Sequence, residues 1–399
     1  MRVSCTFEYL NREGVDTLWF EYSSEFDDYI DDSGDAWLVA LLPIALLERE
    51  DLILETACDP LLVDNIIGVI RIWKSWYDWI PDIEVNCRTK ANETVQQQRG
   101  AAVLFSGGVD SFFSLLRYIK LSEMYADIEE IFLTSVWGLD VPLDNQKGFS
   151  ILRGIGQQVA VVYGNRLLEI ATNIRDFEAY RFKGKHFAFL SHGAALAATG
   201  LLLQKKIKRI VIGSTADFQN LDPWGSHPLV DPLFSTFSTS VIHDGAAYTR
   251  LEKTSYVLNE EIVRSTLRVC WSQNGNCSRC GKCIRTMATI DSLGLADKVN
   301  SFDWSEYSLD RVSSVFLEKK EEDIYFEEIC RHAIVNDRPD IANATRNAIE
   351  VSRKLRARKR FKVYRVGISA VEYTNRILLR LPLVWRIGIW ISRKLPRRR

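Results

Sequence analysis

The chain has no uninterrupted apolar run long enough to cross a bilayer, so no helical membrane span is expected. Its first residues, Met1 to Glu8, lack the apolar core of a secretory signal. No internal repeat and no long low-complexity segment is present, which sets aside solenoid and disordered classes. No cysteine lies between Cys87 and Cys270, so the middle of the chain offers no persulfide carrier of its own, and tRNA thiolation is disfavoured. Residue 2 is Arg and Cys5 is not terminal, which disfavours a glutamine-fed synthetase with an N-terminal cysteine nucleophile. What remains is an ordinary globular composition: 399 residues, 47% hydrophobic and 26% charged, enough for two or three domains.

The net charge of −1 hides an asymmetry. Residues 353–399 hold 16 Lys and Arg against one acid, Glu372, a local charge of +15 that leaves −16 on the other 352 residues. Arg365, Glu372, Arg376, Arg380, Arg386 and Arg393 fall on one side of a helix, and Ile377, Leu378, Leu381, Val384, Trp385 and Ile389 fill much of the rest. Pro382 is expected to bend or break that helix. The pattern fits docking on the acidic body or on a protein partner, and less well a membrane surface. Nucleic acid is disfavoured because so much of the tail is apolar.

Residues 101–111 read Ala-Ala-Val-Leu-Phe-Ser-Gly-Gly-Val-Asp-Ser, a short apolar strand running directly into two glycines and then an apolar helical stretch. Glycine lets the backbone turn sharply and bring bare N–H groups to an anion, and a helix N-terminus adds unpaired donors and partial positive charge. Ser106, Gly107, Gly108, Val109, Asp110 and Ser111 are therefore read as a phosphate loop. It is not the Walker loop, whose Gly-Lys-Ser/Thr ending is absent. The plainer reading is a strand–turn–helix connection with a capping Asp or Ser.

Around this loop the chain divides into four expected domains. Residues 1–98 form an α+β extension, with strands at 18–22 and 36–42, an acidic loop from Glu25 to Asp35, and a helix over 61–80. That helix carries Trp73, Trp76 and Trp79 as a core or docking stripe. Residues 99–258 alternate strands (101–105, 130–136, 159–163, 208–213) with helices (111–121, 146–157, 186–204). This predicts an α/β, doubly wound parallel sheet with ligands at the carboxyl ends of its strands. Thr134, Ser135 and Gly213 would converge there with the loop. Residues 259–352 form a helical lobe with the cysteine cluster, and 353–399 the basic tail.

Cys270, Cys277, Cys280 and Cys283 have metal-ligand spacing. Four thiolates wrap a tetrahedral Zn²⁺ in a closed, structural site, and thiolates also hold iron–sulfur clusters. Such clustering fits a reducing, cytoplasmic setting better than disulfides do. Among the five histidines, His192 falls in an apolar helix, while His227 and His243 lie in candidate substrate loops.

Ser106-Gly-Gly-Val-Asp-Ser111 resembles the signature of the PP-loop ATP pyrophosphatases. Together with Gly184 to Ala198, Ile210 to Phe218, Arg250-Leu-Glu-Lys-Thr254 and Thr266-Leu-Arg-Val-Cys270 with its three later cysteines, it resembles the 7-cyano-7-deazaguanine synthases over roughly residues 100–290. The resemblance implies ATP with Mg²⁺, a structural Zn²⁺, and a small carboxylate, 7-carboxy-7-deazaguanine. That acid attacks the α-phosphate to give an acyl adenylate and pyrophosphate, and ammonia then yields an amide and, after a second activation, a nitrile. By the same resemblance Ser106, the Gly107 and Gly108 amides and Ser111 hold the pyrophosphate, and Asp110 positions Mg²⁺. Arg250 adds a cation that Glu252 orients, and the loop Gln219 to Pro228 faces the acceptor substrate; Lys185, His192, Asp217 and His227, by their positions around it, are the candidate substrate residues. The chain departs from the family at Arg250, where a lysine is usual, and at Lys185-His186, where an Arg-Asn pair is usual. Its loop Gln219 to Pro228 is also longer. Two other readings stay open: acyl transfer to a protein docked through the N-terminal domain or tail, and a non-catalytic ATP- or AMP-binding scaffold.

Overall fold

Alternation of short apolar runs with amphipathic stretches between residues 100 and 244 builds a mostly parallel sheet, as the pattern predicts. The computed structural model describes residues 1–90, 98–181, 186–270 and 274–378, of which 359–378 by backbone alone. In chain order the elements are β1 (Arg2–Glu8), β2 (Val15–Tyr22), α1 (Asp35–Glu48), β3 (Leu52–Cys58), α2 (Pro60–Trp76), β4 (Val85–Thr89), β5 (Gly100–Leu104), α3 (Val109–Met124) and β6 (Glu130–Trp137). Then come α4 (Gln146–Tyr163), β7 (Arg166–Thr172), α5 (His192–Leu201), β8 (Ile207–Gly213), β9 (Ser240–Asp244), α6 (Arg250–Val257), α7 (Glu261–Thr266) and α8 (Gly281–Ser292). Helices α9 (Leu309–Ser314), α10 (Asp323–Val335) and α11 (Pro339–Leu378) close the described chain.

The main sheet runs β1-β2-β7-β6-β5-β8-β9. From β7 to β9 all pairings are parallel, whereas β1–β2 and β2–β7 are antiparallel. Strand β5 is central and buried along its whole length. Its side chains alternate between two cores: Ala102 and Leu104 join α1, α2 and α5, while Ala101 and Val103 join α3 and the segment around Cys270.

Two expected strands are helices. Ala36–Leu42 lies in α1, whose residues from Asp35 to Leu46 are all buried. An apolar run buried on every side has no period to distinguish helix from strand, and only its length decides. Residues 159–163 are the last turn of α4; Gly164 closes that helix at φ 66°, and the strand starts at Arg166. The helix expected over 61–80 ends at Trp76.

The expected domain boundaries also change. Residues 1–98 are not a separate body, because β2 pairs with β7 and extends the main sheet. Trp19 N–H donates to Asn173 Oδ1 (2.9 Å), Tyr22 hydroxyl to the Thr199 carbonyl (3.0 Å) and Tyr180 hydroxyl to the Ala40 carbonyl (2.8 Å). Residues 1–307 form one unit that includes the cysteine cluster, and 308–399 form a second. No boundary falls at 352, since α11 runs unbroken from Pro339 to Leu378. Within the second unit, buried Asp323 accepts from Arg353 (2.9 Å) and Arg356 (2.7 Å), tying α10 to α11. Among the described residues no helix is long and apolar enough to cross a membrane. The tail side chains that carry the amphipathic reading lie outside the described residues.

Candidate functional site at the carboxyl ends of the parallel strands

The Ser106–Ser111 turn joins β5 to α3 at the carboxyl edge of the sheet. Gly107 has φ +73°, a left-handed conformation that favours glycine. Gly108 caps α3 in extended conformation, and Ser111 hydroxyl donates to its carbonyl (2.9 Å). Gly213, ending β8, lies against this turn: a Cβ there would sit 2.9 Å from the Asp110 carbonyl oxygen. The bare backbone therefore lets the end of β8 meet the first turn of α3. Thr134 and Ser135 come to the same edge, but their side chains turn inward. Thr134 hydroxyl donates to the Phe132 carbonyl (3.3 Å) and Ser135 hydroxyl to the Phe105 carbonyl (3.1 Å).

Asp110, at the first turn of α3, is ringed by cations. Arg250 Nη1 donates to its Oδ2 at 2.5 Å, and Lys253 Nζ lies 3.7 Å from Oδ1. That Oδ1 is buried and has no hydrogen-bond partner. Lys253 is 1% exposed and donates to the Ser214 carbonyl at 2.6 Å; burial above all holds its pKa below the usual lysine value. Lys282, at the start of α8, is pushed down to about 8 by burial and by neighbouring Arg285, against the pull of Asp140 and Asp110. Glu252 does not orient Arg250 as expected. Its carboxylate accepts from Thr249 N–H (2.8 Å), while Thr249 hydroxyl accepts from Glu252 N–H (3.3 Å). This capping box starts α6 and so places Arg250 and Lys253 together. Asp217 accepts from Gln219 N–H and from the Asn220 side chain, each at 2.9 Å, and so shapes its own turn.

The cysteine cluster adjoins the turn through Arg268, two residues before Cys270. Arg268 N–H donates to the Gly107 carbonyl (2.8 Å) and its Nη1 to the Ser106 carbonyl (3.3 Å). The sulfurs of Cys270, Cys277, Cys280 and Cys283 all lie within 4.8 Å of one another, close enough to hold a metal ion. Cys270–Cys280 and Cys277–Cys283 Sγ separations are 3.7 and 3.9 Å. Asn276 Oδ1 accepts from the Val269 and Cys270 N–H groups, fixing the backbone that carries the first thiol.

Along the same carboxyl edge, His192, His227 and His243 surround buried Asp231. His192 Nδ1 donates to the Phe187 carbonyl (3.1 Å), and burial lowers its pKa. His227 Nδ1 accepts from Leu229 N–H (3.1 Å); burial lowers its pKa too, with a smaller contribution from His243. Phe187–Ser191 forms a turn of π-helix, a geometry frequent at functional sites. Trp73 is fully buried against Phe234, as a core stripe predicts. Trp76 and Trp79 also pack against this core, and their rings meet His227 and His186, with centroids 4.8 and 5.0 Å apart. Lys185 lies outside the described residues.

Compared with known proteins, the chain matches no family model, no curated protein and no solved structure. Of the sequence-predicted residues, the structure brings Ser106 to Ser111, Gly213 and Arg250 into one place, and His192 and His227 into an adjoining one. Lys253, Arg268, Lys282 and Asp231 were not foreseen. The only available signal was proximity in sequence to Arg250, Cys270, Cys283 and His227.

Proposed function

We propose that this chain is an ATP-dependent C–N ligase of the PP-loop type, resembling the 7-cyano-7-deazaguanine synthases. It adenylates the carboxylate of a 7-deazaguanine-like acid, releases pyrophosphate and joins the activated acyl group to ammonia. The observation that carries this reading is the glycine turn at the β5–α3 junction, with Asp110 between Arg250 and Lys253 at the carboxyl edge of a parallel sheet.

The Gly107 and Gly108 backbone and the α3 N-terminus present N–H groups to the leaving pyrophosphate. Arg250 and Lys253 add positive charge where negative charge accumulates in the transition state. Oδ1 of Asp110, which accepts no hydrogen bond, fits a Mg²⁺ ligand, and Mg²⁺ supplies charge neutralisation to the phosphates. Buried Lys253, fastened to the Ser214 carbonyl, holds its cation in place without reorganisation during the reaction.

The cluster fits one zinc ion. Tetrahedral bonds of about 2.3 Å place sulfurs about 3.8 Å apart, matching the separations of 3.7 and 3.9 Å. A four-iron cluster interposes irons and sulfides and needs the thiolates farther apart. Four thiolates leave no open position, so the ion is structural.

The test is incubation with ATP, Mg²⁺, 7-carboxy-7-deazaguanine and ammonium. AMP and pyrophosphate are the expected nucleotide-derived products. Orthophosphate as the sole phosphate product, or no acid-dependent turnover, would overturn the reading.

A further inference from the structure

Asp231 is fully buried and accepts three hydrogen bonds: from His243 Nδ1 (2.7 Å), Ser226 hydroxyl (2.6 Å) and His227 N–H (3.2 Å). A carboxylate cannot donate, so the His243 proton sits on Nδ1 and the lone pair on Nε2. Among the described residues Nε2 of His243 has no hydrogen-bond partner. Ser226 approaches His243 from the Nδ1 side (3.4 Å), so it supports the carboxylate and is not placed as a nucleophile.

The strand register sets where this imidazole lies. His243 is opposite Ile212, and Asp244 is opposite Gly213, the residue that touches Asp110. Side chains alternate along β9. Asp244 faces α3, where Ser114 donates to it (2.8 Å). His243 therefore projects from the sheet face opposite α3, one residue short of the strand end level with Gly213, with its side chain 4% exposed. Gly193 makes room for the carboxylate, since a Cβ there would lie 2.5 Å from Asp231 Oδ1.

We propose that His243 is the base of the acyl-transfer step, with Asp231 as its positioning residue; this rests on the adenylation reading above. The lone pair of the attacking amine forms a C–N bond to the acyl carbon. The bond from that carbon to the adenylate oxygen breaks, and AMP leaves with its electron pair. Before that bond breaks, the proton of the adduct's ammonium passes to His243 Nε2, and Asp231 stabilises the imidazolium. Ammonia is the co-reactant. Without a base the attacking nitrogen stays cationic and returns to the adenylate.

The experiment compares two amines in the full-length protein with ATP and 7-carboxy-7-deazaguanine. Ammonia gives an ammonium that needs a base, whereas the adduct of weakly basic hydroxylamine loses its proton readily unaided. His243→Gln is expected to lower the ratio of amide to hydroxamate formed by about 100-fold, the usual size of general-base assistance. Asp231→Asn, nearly isosteric, lowers the same ratio by a smaller factor and carries the test if the first variant fails to fold. A ratio equal to that of the parent protein in the folded variants overturns the proposal, even where both rates fall. Pyrophosphate–ATP exchange in the parent protein separates the two ideas. Its absence overturns adenylation and this step with it; exchange with an unaltered ratio overturns the role of His243 alone.

Discussion

Arg268 donates its backbone N–H to the carbonyl of Gly107 at 2.8 Å, and its guanidinium reaches the Ser106 carbonyl at 3.3 Å. The glycine turn and the cysteine cluster, separated by more than 150 residues of chain, are thus one structural assembly. A metal holding Cys270 would hold the strap that supports the turn. Replacing Arg268 with Met keeps the backbone bond and removes the side-chain bond, worth about 1 kcal/mol. ATP affinity measured by calorimetry is expected to fall roughly fivefold, with faster hydrogen exchange at Gly107 and Gly108.

Protein purified without added metal is expected to contain about one zinc per chain. Cys277→Ser should release it. Because apparent binding energies of such sites reach about 10 kcal/mol, the variant should melt at a clearly lower temperature and bind ATP more weakly through the Arg268 strap. Metal-free protein with parental melting would contradict this.

Gly213→Ala places a methyl group 2.9 Å from the Asp110 carbonyl oxygen, which belongs to backbone and cannot move aside cheaply. A cost of about 1–3 kcal/mol is expected, read as a lowered melting temperature, with α3 displaced from its partner strand. Gly164→Ala meets nothing within 4 Å, although its φ of +66° makes the substitution mildly strained, so its melting should fall less.

Asp110→Asn removes the charge that Arg250 and Lys253 flank while keeping the side chain's shape. Acid-dependent pyrophosphate release is expected to drop by roughly 100-fold or more. Glu252→Gln keeps the capping box, because a neutral amide oxygen still accepts from Thr249 N–H. It should retain turnover to within a few-fold, whereas an Arg250-orienting role for Glu252 would make it as harmful as the change at Asp110.

Strand β5, the glycine turn and the four-cysteine spacing were legible because each is a local pattern. Apolar residues leading into Ser-Gly-Gly-x-Asp-Ser specify a strand–turn–helix junction, and short Cys spacings bring thiols together without help from the fold. Strands 130–136 and 208–213 were legible within a residue for the same reason. Helix α1 was not, since its burial on every side erased the period that reports secondary structure. The fate of Glu252 was hidden too: the same carboxylate can meet an arginine or close a capping box, and chain geometry selects the second.

By itself the sequence determined the local chemistry: which glycines can turn, which thiols can gather, and where charge is concentrated. Only the tertiary structure decided that residues 1–98 join the main sheet, that Lys253 lies beside Asp110, and that Asp231 holds His243. Those outcomes depend on strand order and on contacts between residues far apart in the chain. Hydrophobic periodicity records which face of an element is buried, but not which partner buries it.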